Sequence, residues 1–386
     1  MRLAQLTALL AVWVELRLAL GASLDGNWDR EESAVIPALL VLLVLGELVR
    51  FGRWLSINRL VLLGHFARFT GLGWAGTGFL ALLLTWLVPD LADDIGPHVL
   101  FWIAGGLAVA TSLNAFTIGR TRIVVRKFEI ASPNIPEPGD ATTAPSILRI
   151  SVLSDLHLGE FVAATHIRKA VQISNAESPD IVLLLGDYVD RDAALAGVLV
   201  DELTRLEAKF GVLAVLGNHD VESTSPQLIV DELDRDPTVA LLRNSSTSIE
   251  IDSTGITKNL RIIGIESPGE HWSPKSDELG RQVLLGELSK GNSDFTIVVS
   301  HHPEMFELSA EHNVDLVVAG HTHGGQLAVP FTGRFLNAGR LVTKYLQGKY
   351  ESGTTRLVVT AGVGVGIVPA RIGVPPEVTL VDIAFK

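Results

Sequence analysis

Two hydrophobic patterns divide the chain. Up to about residue 120 the apolar positions form four near-continuous segments, residues 3–22, 34–49, 70–88 and 99–118. Each is close to the ~20 residues that cross a bilayer as a helix. The connections between them are too short to supply amphipathic partners for a soluble helical core, so the pattern predicts four membrane spans. Glu15 and Arg17 interrupt the first, which ends in the small residues Ala19, Gly21 and Ala22. Those features also suit a cleaved leader, but an uncleaved span is the preferred reading. From Ile147 the pattern changes to short Val/Ile/Leu runs that each stop at polar residues: ILRISVLSDLH, DIVLLLGD, GVLAVLGNHD, LRIIGIE, FTIVVSHHP, VDLVVAGHTH and TRLVVTAG. Runs of that length and continuity are strands buried on both faces. Helices are expected at 164–177 and 194–209, and a short strand at 123–130 precedes a segment broken by Pro133, Pro136, Pro138, Gly139 and Pro145. The expected fold is therefore α/β, two packed sheets with flanking helices in an α/β/β/α order, preceded by an all-α bundle of about four transmembrane helices. The domain boundaries follow: 1–119 transmembrane, 120–146 strand and Pro-rich linker, 147–386 soluble.

Composition supports this division. The 386 residues are 47% hydrophobic and 19% charged, and six of the seven Trp lie in the first 120. Gly71, Gly73, Gly76 and Gly78 would let helices approach closely. Arg50, Arg53, Arg59 and Arg68 follow the second span, and Arg120, Arg122, Arg126 and Lys127 follow the fourth, whereas the other connections are acidic. By the positive-inside rule the expected location is the inner membrane, multi-pass, with the C-terminal domain in the cytoplasm. No cysteine is present, which excludes thiolate zinc sites, iron–sulfur clusters and cysteine nucleophiles. The formal net charge of −12 argues against nucleic acid as the main partner.

Candidate chemistry lies where the apolar runs end. Five of them stop at metal-ligand residue types: Asp155 and His157, Asp187, Asn218 and His219, His301, then His321 and His323. Ends of neighbouring strands converge on one rim, where open α/β sheets carry their sites. Leaving His219 aside, the seven oxygen and nitrogen donors can hold two divalent cations about 3.5–4 Å apart with one carboxylate shared.

The ordered series DLH, GDYVD, GNHD, SHHP and GHTHGG resembles the calcineurin-like metallophosphoesterase family, over about residues 147–383. The later segments GHTHGGQLAVPF and GVPPEVTLVDI look most like its membrane-associated bacterial branch. One departure is Asp192 in GDYVDRD, where the related Ser/Thr phosphatases carry Gly. The resemblance implies Asp155, His157 and His323 as ligands of a first metal, Asn218, His301 and His321 of a second, and Asp187 bridging both. The metals would be manganese, iron or zinc, which imidazole and carboxylate ligands suit. A hydroxide bridging them would attack phosphorus in line. His219, next to a ligand but not needed as one, is the expected general acid. The Asp190 carboxylate is expected to hold one ring nitrogen of His219, and Arg191 is the candidate substrate-binding residue, with a surface Asp190–Arg191 ion pair as the simpler alternative. His302 is expected behind the ligands or facing solvent, and His166, His271 and His312 at the surface.

The expected activity is thus a membrane-anchored, binuclear phosphoesterase acting on a phosphate ester or diphosphate. The bilayer and a lipid-linked or nucleotide-linked substrate, such as UDP-2,3-diacylglucosamine, are its expected partners. The alternatives are a nuclease or cyclic-nucleotide phosphodiesterase, which the absence of a Lys/Arg cluster beside the motifs disfavours, and a non-catalytic membrane sensor, which would be expected to have lost ligand residues.

Overall fold

The computed structural model describes residues 58–87, 97–132, 146–190, 192–253, 256–269, 274–329, 336–366 and 368–385. The chain divides into two compact units, Met1–Ala110 and Thr111–Lys386. The expected spans at 3–22 and 34–49 lie outside the described residues.

In the first unit, helix α1 is Asn58–Leu87. It begins twelve residues before the expected span at 70–88, and so it takes in Arg59 and Arg68, which the charge pattern assigned to a loop. Hydropathy marks where a chain is apolar, whereas a helix continues through arginine at little cost. Helix α2 is Pro97–Phe116, two residues ahead of the expected 99–118. Among the described residues one stretch, Trp102–Thr121, is long and apolar enough to cross a membrane. Trp102, Ile103 and Leu107 point outward along it, so the helix is apolar beyond the stripe that packing explains. The helices approach at Gly105, where a Cβ would stand 2.5 Å from the Trp74 ring, and at Gly73 of the expected glycine run, where one would stand 3.8 Å from Ala108 Cβ, while Gly76 faces open space.

The second unit contains two six-stranded sheets. The first has the order β1-β12-β2-β3-β4-β5, from Val124–Ala131, Glu377–Phe385, Ser146–Leu153, Ile181–Leu184, Val212–Ala214 and Val239–Leu241. The second has the order β10-β11-β9-β8-β7-β6, from Gly348–Ser352, Thr355–Val359, Leu316–Ala319, Phe295–Ser300, Ile256–Ile265 and Ser245–Ser253. All seven expected runs form strands. β1 pairs in parallel with β12 from Val124 to Ala131, so it forms the edge of the first sheet. Side chains alternating from each strand fill three layers. Ile150, Val152, Leu183, Val215, Ile262, Ile297, Val318 and Val381 pack between the sheets.

On the outer face of the first sheet lie α3 (Ala164–Ala176), α4 (Ala196–Leu203) and α5 (Pro226–Asp234), through Ile167, Leu199, Leu203 and Ile229. On the second lie α6 (Pro274–Leu288) and α7 (Met305–Glu311), through Leu284, Met305 and Phe306. The expected helix at 194–209 stops at Leu203. Leu206 turns into the core instead, three residues after the last helical contact. Parallel pairing of β2, β3 and β4 in one sheet and of β8 and β9 in the other puts the donor-bearing ends of each set on one edge.

Candidate active site

Five of the candidate donors sit in left-handed backbone: Asp155 at φ 53°, His157 at 45°, Asp187 at 54°, His321 at 69° and His323 at 49°. For residues other than glycine this conformation costs energy and concentrates at functional sites. Neighbouring main chain holds it in place. The Asp155 N–H donates to Gly186 O at 3.0 Å and the His157 N–H to Asp187 O at 2.9 Å, which lays the loops after β2 and β3 side by side. The loops after β3 and β4 approach still more closely. A Cβ on Gly186 would meet Gly217 N at 2.1 Å, and one on Gly217 would meet Asp187 Oδ1 at 2.2 Å. Only glycine fits either place, which is the physical content of the GD and GN pairs.

The donors converge in two groups. In the first, His157 Nε2 and His323 Nε2 face each other at 3.1 Å, with Asp155 Oδ1 3.6 Å from His323 Nε2. In the second, Asn218 Oδ1 is 3.1 Å from His301 Nε2 and 3.0 Å from His321 Nδ1, and these two nitrogens are 3.2 Å apart. Asp187 lies between the groups. Its Oδ2 is 3.5 Å from His157 Nε2 and 3.3 Å from His301 Nε2, while its Oδ1 accepts the His219 main-chain N–H at 2.9 Å. One carboxylate oxygen is thus fixed by backbone and the other is directed at both groups.

These residues fit two divalent cations. Nitrogen donors about 2.0–2.2 Å from one ion stand roughly 3 Å apart, which matches the imidazole separations above. Asp155 Oδ1 is buried with no hydrogen-bond partner among the described residues, a placement that is costly unless a cation satisfies it.

The titration behaviour agrees. Burial, reinforced by neighbouring positive groups, lowers the His323 pKa well below its usual value and pushes His321 down to about 3. Burial also lowers His157, against the pull of Asp187. These rings are neutral near pH 7 and offer lone pairs. His301 goes the other way. Burial would lower it, but the charge and hydrogen bond of Asp187 outweigh that and raise it to about 9. Burial would likewise raise Asp187, yet His301, with His157 and His219, holds it well below the usual carboxylate range. Without metal, the proton on His301 balances Asp187, and a bound cation would displace it.

His219 stands at the edge of this cluster, its ring perpendicular to that of His157 with centroids 4.6 Å apart. The expected contact with the Asp190 carboxylate is not the principal one. His219 Nδ1 lies 2.5 Å from the Asp190 main-chain oxygen, and the carboxylate Oδ1 is 3.6 Å away on a half-exposed side chain. A carbonyl can only accept, so it fixes the tautomer with hydrogen on Nδ1 and leaves Nε2 to exchange protons. Arg191 lies outside the described residues, as does His271.

Several side chains matter that the motifs did not single out. Asp220, buried, accepts the N–H groups of Asp187 at 2.7 Å and Gly217 at 2.8 Å on Oδ2, and of Tyr188 at 2.8 Å on Oδ1. Burial and the nearby Asp187 charge push its pKa up to about 7, against the pull of those N–H groups. His302 is fully buried, 4.1 Å ring to ring from His321, with Nε2 3.0 Å from Ser267 Oγ. His166, expected at the surface, is half-buried with Nε2 3.0 Å from Val363 O.

Among the described residues Arg371 is the largest fully buried side chain. Its guanidinium donates to the carbonyls of Gly364 and Ala361 at 2.7 Å and of His323 and Val374 at 3.3 Å, and its Nη2 lies 3.4 Å from His323 Nδ1. Burial lowers its pKa to about 10 even with Asp155 and Glu377 nearby. It ties the loop after β11 to the back of a candidate ligand. The signal in the sequence is a single arginine in the apolar, proline-flanked stretch VPARIGVPP.

Two sheets bring histidine, aspartate and asparagine from their strand ends to one rim, a donor set suited to divalent metal ions. Residues 148–325 match the family described as Calcineurin-like phosphoesterase. The chain carries a calcineurin-like metallophosphoesterase domain and is a phosphoric ester hydrolase. It is similar to the uncharacterized metallophosphoesterase YkuE of Bacillus subtilis, with 25% identity over 287 residues covering 71% of this chain and 94% of that protein. With the phosphodiesterase YaeI of Escherichia coli it shares 29% identity over 237 residues, 61% of this chain and 82% of that protein. With a bovine transmembrane protein with metallophosphoesterase domain it shares 27% identity over 248 residues, 60% of this chain and 52% of that protein.

Proposed function

We propose that the protein is a membrane-anchored phosphodiesterase or diphosphatase with two divalent metal ions. The first ion would be held by Asp155, His157 and His323, the second by Asn218, His301 and His321, and both by Asp187. The observation that carries this reading is that Asp187 Oδ2 faces a donor group on either side, at 3.5 and 3.3 Å. When bound, such a pair of ions supplies a water of lowered pKa and neutralises charge on the phosphoryl oxygens. The two donor groups keep Asp155 and Asp187 as their only carboxylates, and neutral Asn218 adds none. With two divalent cations the site therefore retains a formal positive charge that attracts a phosphate ester. His219 Nε2, left free by the Nδ1 contact with the Asp190 carbonyl, delivers a proton to the leaving oxygen.

Anchoring is supported by the apolar stretch Trp102–Thr121 and by the bovine relative's description as a transmembrane protein. Arg120, Arg122, Arg126 and Lys127 follow that stretch, which favours a cytoplasmic domain. The Escherichia coli relative is named a phosphodiesterase, which favours a diester or diphosphate bond over a monoester. A lipid-linked nucleotide such as UDP-2,3-diacylglucosamine is one substrate of that class. The test is hydrolysis by the purified full chain, with manganese, of a panel of aryl monoesters, aryl diesters and nucleotide-linked lipids. Turnover of diesters that stops on chelation supports the reading, and activity that survives chelation contradicts it.

A further inference from the structure

We infer that the segment at residues 336–342 is a bilayer-contacting loop that seats the catalytic rim on the membrane surface. The substrate it selects is a phosphate ester whose other portion is embedded in lipid. This rests on the phosphoesterase reading above and narrows its substrate class.

Leu341 and Val342 are 92% and 90% exposed, the two most exposed large apolar side chains among the described residues, and Leu336 and Val329 beside them are 59% and 51% exposed. Isolated exposed leucines are ordinary, whereas a cluster at one edge marks an interaction site. The loop is held in shape. Residues Ala338–Leu341 form a short 3₁₀ turn, Val342 N–H donates to Gly339 O at 2.9 Å, and Asn337 Oδ1 accepts the Gly339 N–H at 2.9 Å. It also borders the rim directly. Asn337 Nδ2 donates to Gly324 O at 2.8 Å, so the residue after His323 is tied to it.

Continuity with the apolar helix identifies the bilayer as the occupant. The last turns of Trp102–Thr121, from Thr111 onward, belong to the phosphoesterase unit and leave Leu113 and Ile118 exposed. One run of main-chain hydrogen bonds links them to the loop: Arg371 N to Ala115 O at 3.2 Å, Ile372 N to Gln326 O at 2.9 Å, Ala328 N to Ile372 O at 2.9 Å and Val329 N to Leu336 O at 2.8 Å. Exposed cations accompany both ends, Arg122 at the helix and Arg340 beside Leu341. Apolar tips flanked by arginine suit the boundary between acyl chains and anionic headgroups. A soluble protein partner would not require the surface to be continuous with a helix able to cross a membrane.

The chain has no cysteine, so Leu341→Cys introduces a unique thiol for a bimane label. The labelled full chain is reconstituted in phosphatidylcholine–phosphatidylglycerol vesicles that carry doxyl-labelled lipid. Quenching at position 341 should exceed by at least threefold that at Ser289→Cys, an exposed site ahead of β8 and so at the strand end opposite His301. Equal quenching at the two sites overturns the inference. So does a dimer in detergent that Leu341→Glu abolishes. As a second readout, the double variant Leu341→Glu, Val342→Glu should lose at least tenfold in kcat/KM for a nitrophenyl phosphatidate in the same vesicles while retaining hydrolysis of bis(p-nitrophenyl) phosphate. Parallel loss for both substrates, or for neither, overturns it. Failure of the wild-type chain to hydrolyse the soluble diester would instead count against the phosphoesterase reading, and the quenching result would still stand alone.

Discussion

The two sheets contribute different chemistry to the same rim. The first sheet delivers both carboxylates, Asp155 and Asp187, together with His157, Asn218 and His219, from the ends of β2, β3 and β4. The second delivers imidazoles alone, His301, His321 and His323, from β8 and β9. Both carboxylates therefore stand on one sheet and three of the four ligand imidazoles on the other, and a cation is the element that would join them. The interface beneath is apolar, built by Val152, Leu183, Val215, Ile297 and Val318. Packing, and not the polar groups, sets the distance between the two sets of donors.

The sharpest way to break this comparison is Asp187→Asn. It neutralises the one carboxylate that, among the described residues, faces histidines of both sheets through a single oxygen, so turnover should fall by several orders of magnitude while far-UV circular dichroism stays native. Retained turnover would show that the sheets do not share a carboxylate. His219→Asn comes next. It should lower kcat by about 10²- to 10⁴-fold for alkyl leaving groups and spare activated aryl esters, which need little protonation. An equal loss for both would remove His219 from the proton-donor role.

Arg371→Met addresses the loop that supports the second sheet's last ligand. Five carbonyls, the four named above and that of Gly362 at 3.4 Å, would lose a donor, and buried acceptors left unpaired cost about 1–3 kcal/mol each before relaxation. We expect a loss of about 2–5 kcal/mol in denaturant unfolding, with weakened metal retention. Unchanged stability would mean that water replaces the guanidinium freely.

A pH series sharpens the charge division. In the metal-free protein His301 is raised from 6.5 to about 9 by Asp187. Its contribution to stability is complete below about pH 6.5 and is lost as the pH rises through about 9. Thermal melts of chelator-treated protein should therefore fall in Tm between pH 6.5 and 9.5, and His301→Gln should flatten that slope. A slope identical in the variant would assign the effect elsewhere. The smallest expected effect is that of Asp190→Asn. The main-chain carbonyl of Asp190, which the substitution keeps, holds His219, so kcat should change less than about threefold. A loss as large as that of His219→Asn would restore the carboxylate to the role expected from the sequence.

Much of this was legible in the chain because both signals are local. A run such as IVLLLGD encodes a buried parallel strand and places Asp187 directly after it, so strand and donor are read together. The same holds for FTIVVSH and LVVAGHTH. What escaped was non-local. Strands β6 and β10 are half-exposed hairpin arms with mixed polarity, and no apolar run marks them. The Asp190 contact was misplaced because a sequence names the side chain and says nothing of where a main-chain carbonyl points. Arg371 drew no reading from the sequence, since only the assembled loop after β11 surrounds it with carbonyls. The early start of α1 was hidden because Arg59 and Arg68 interrupt the hydropathy without interrupting the helix.

Whether two cations join the two sheets is read from metal content. Elemental analysis of the purified full chain should find two divalent ions per molecule. His323→Ala and His321→Ala should each lose one, and Asp187→Asn at least one. A fully active chain holding a single ion, or an Asp187→Asn variant that keeps two, would contradict it.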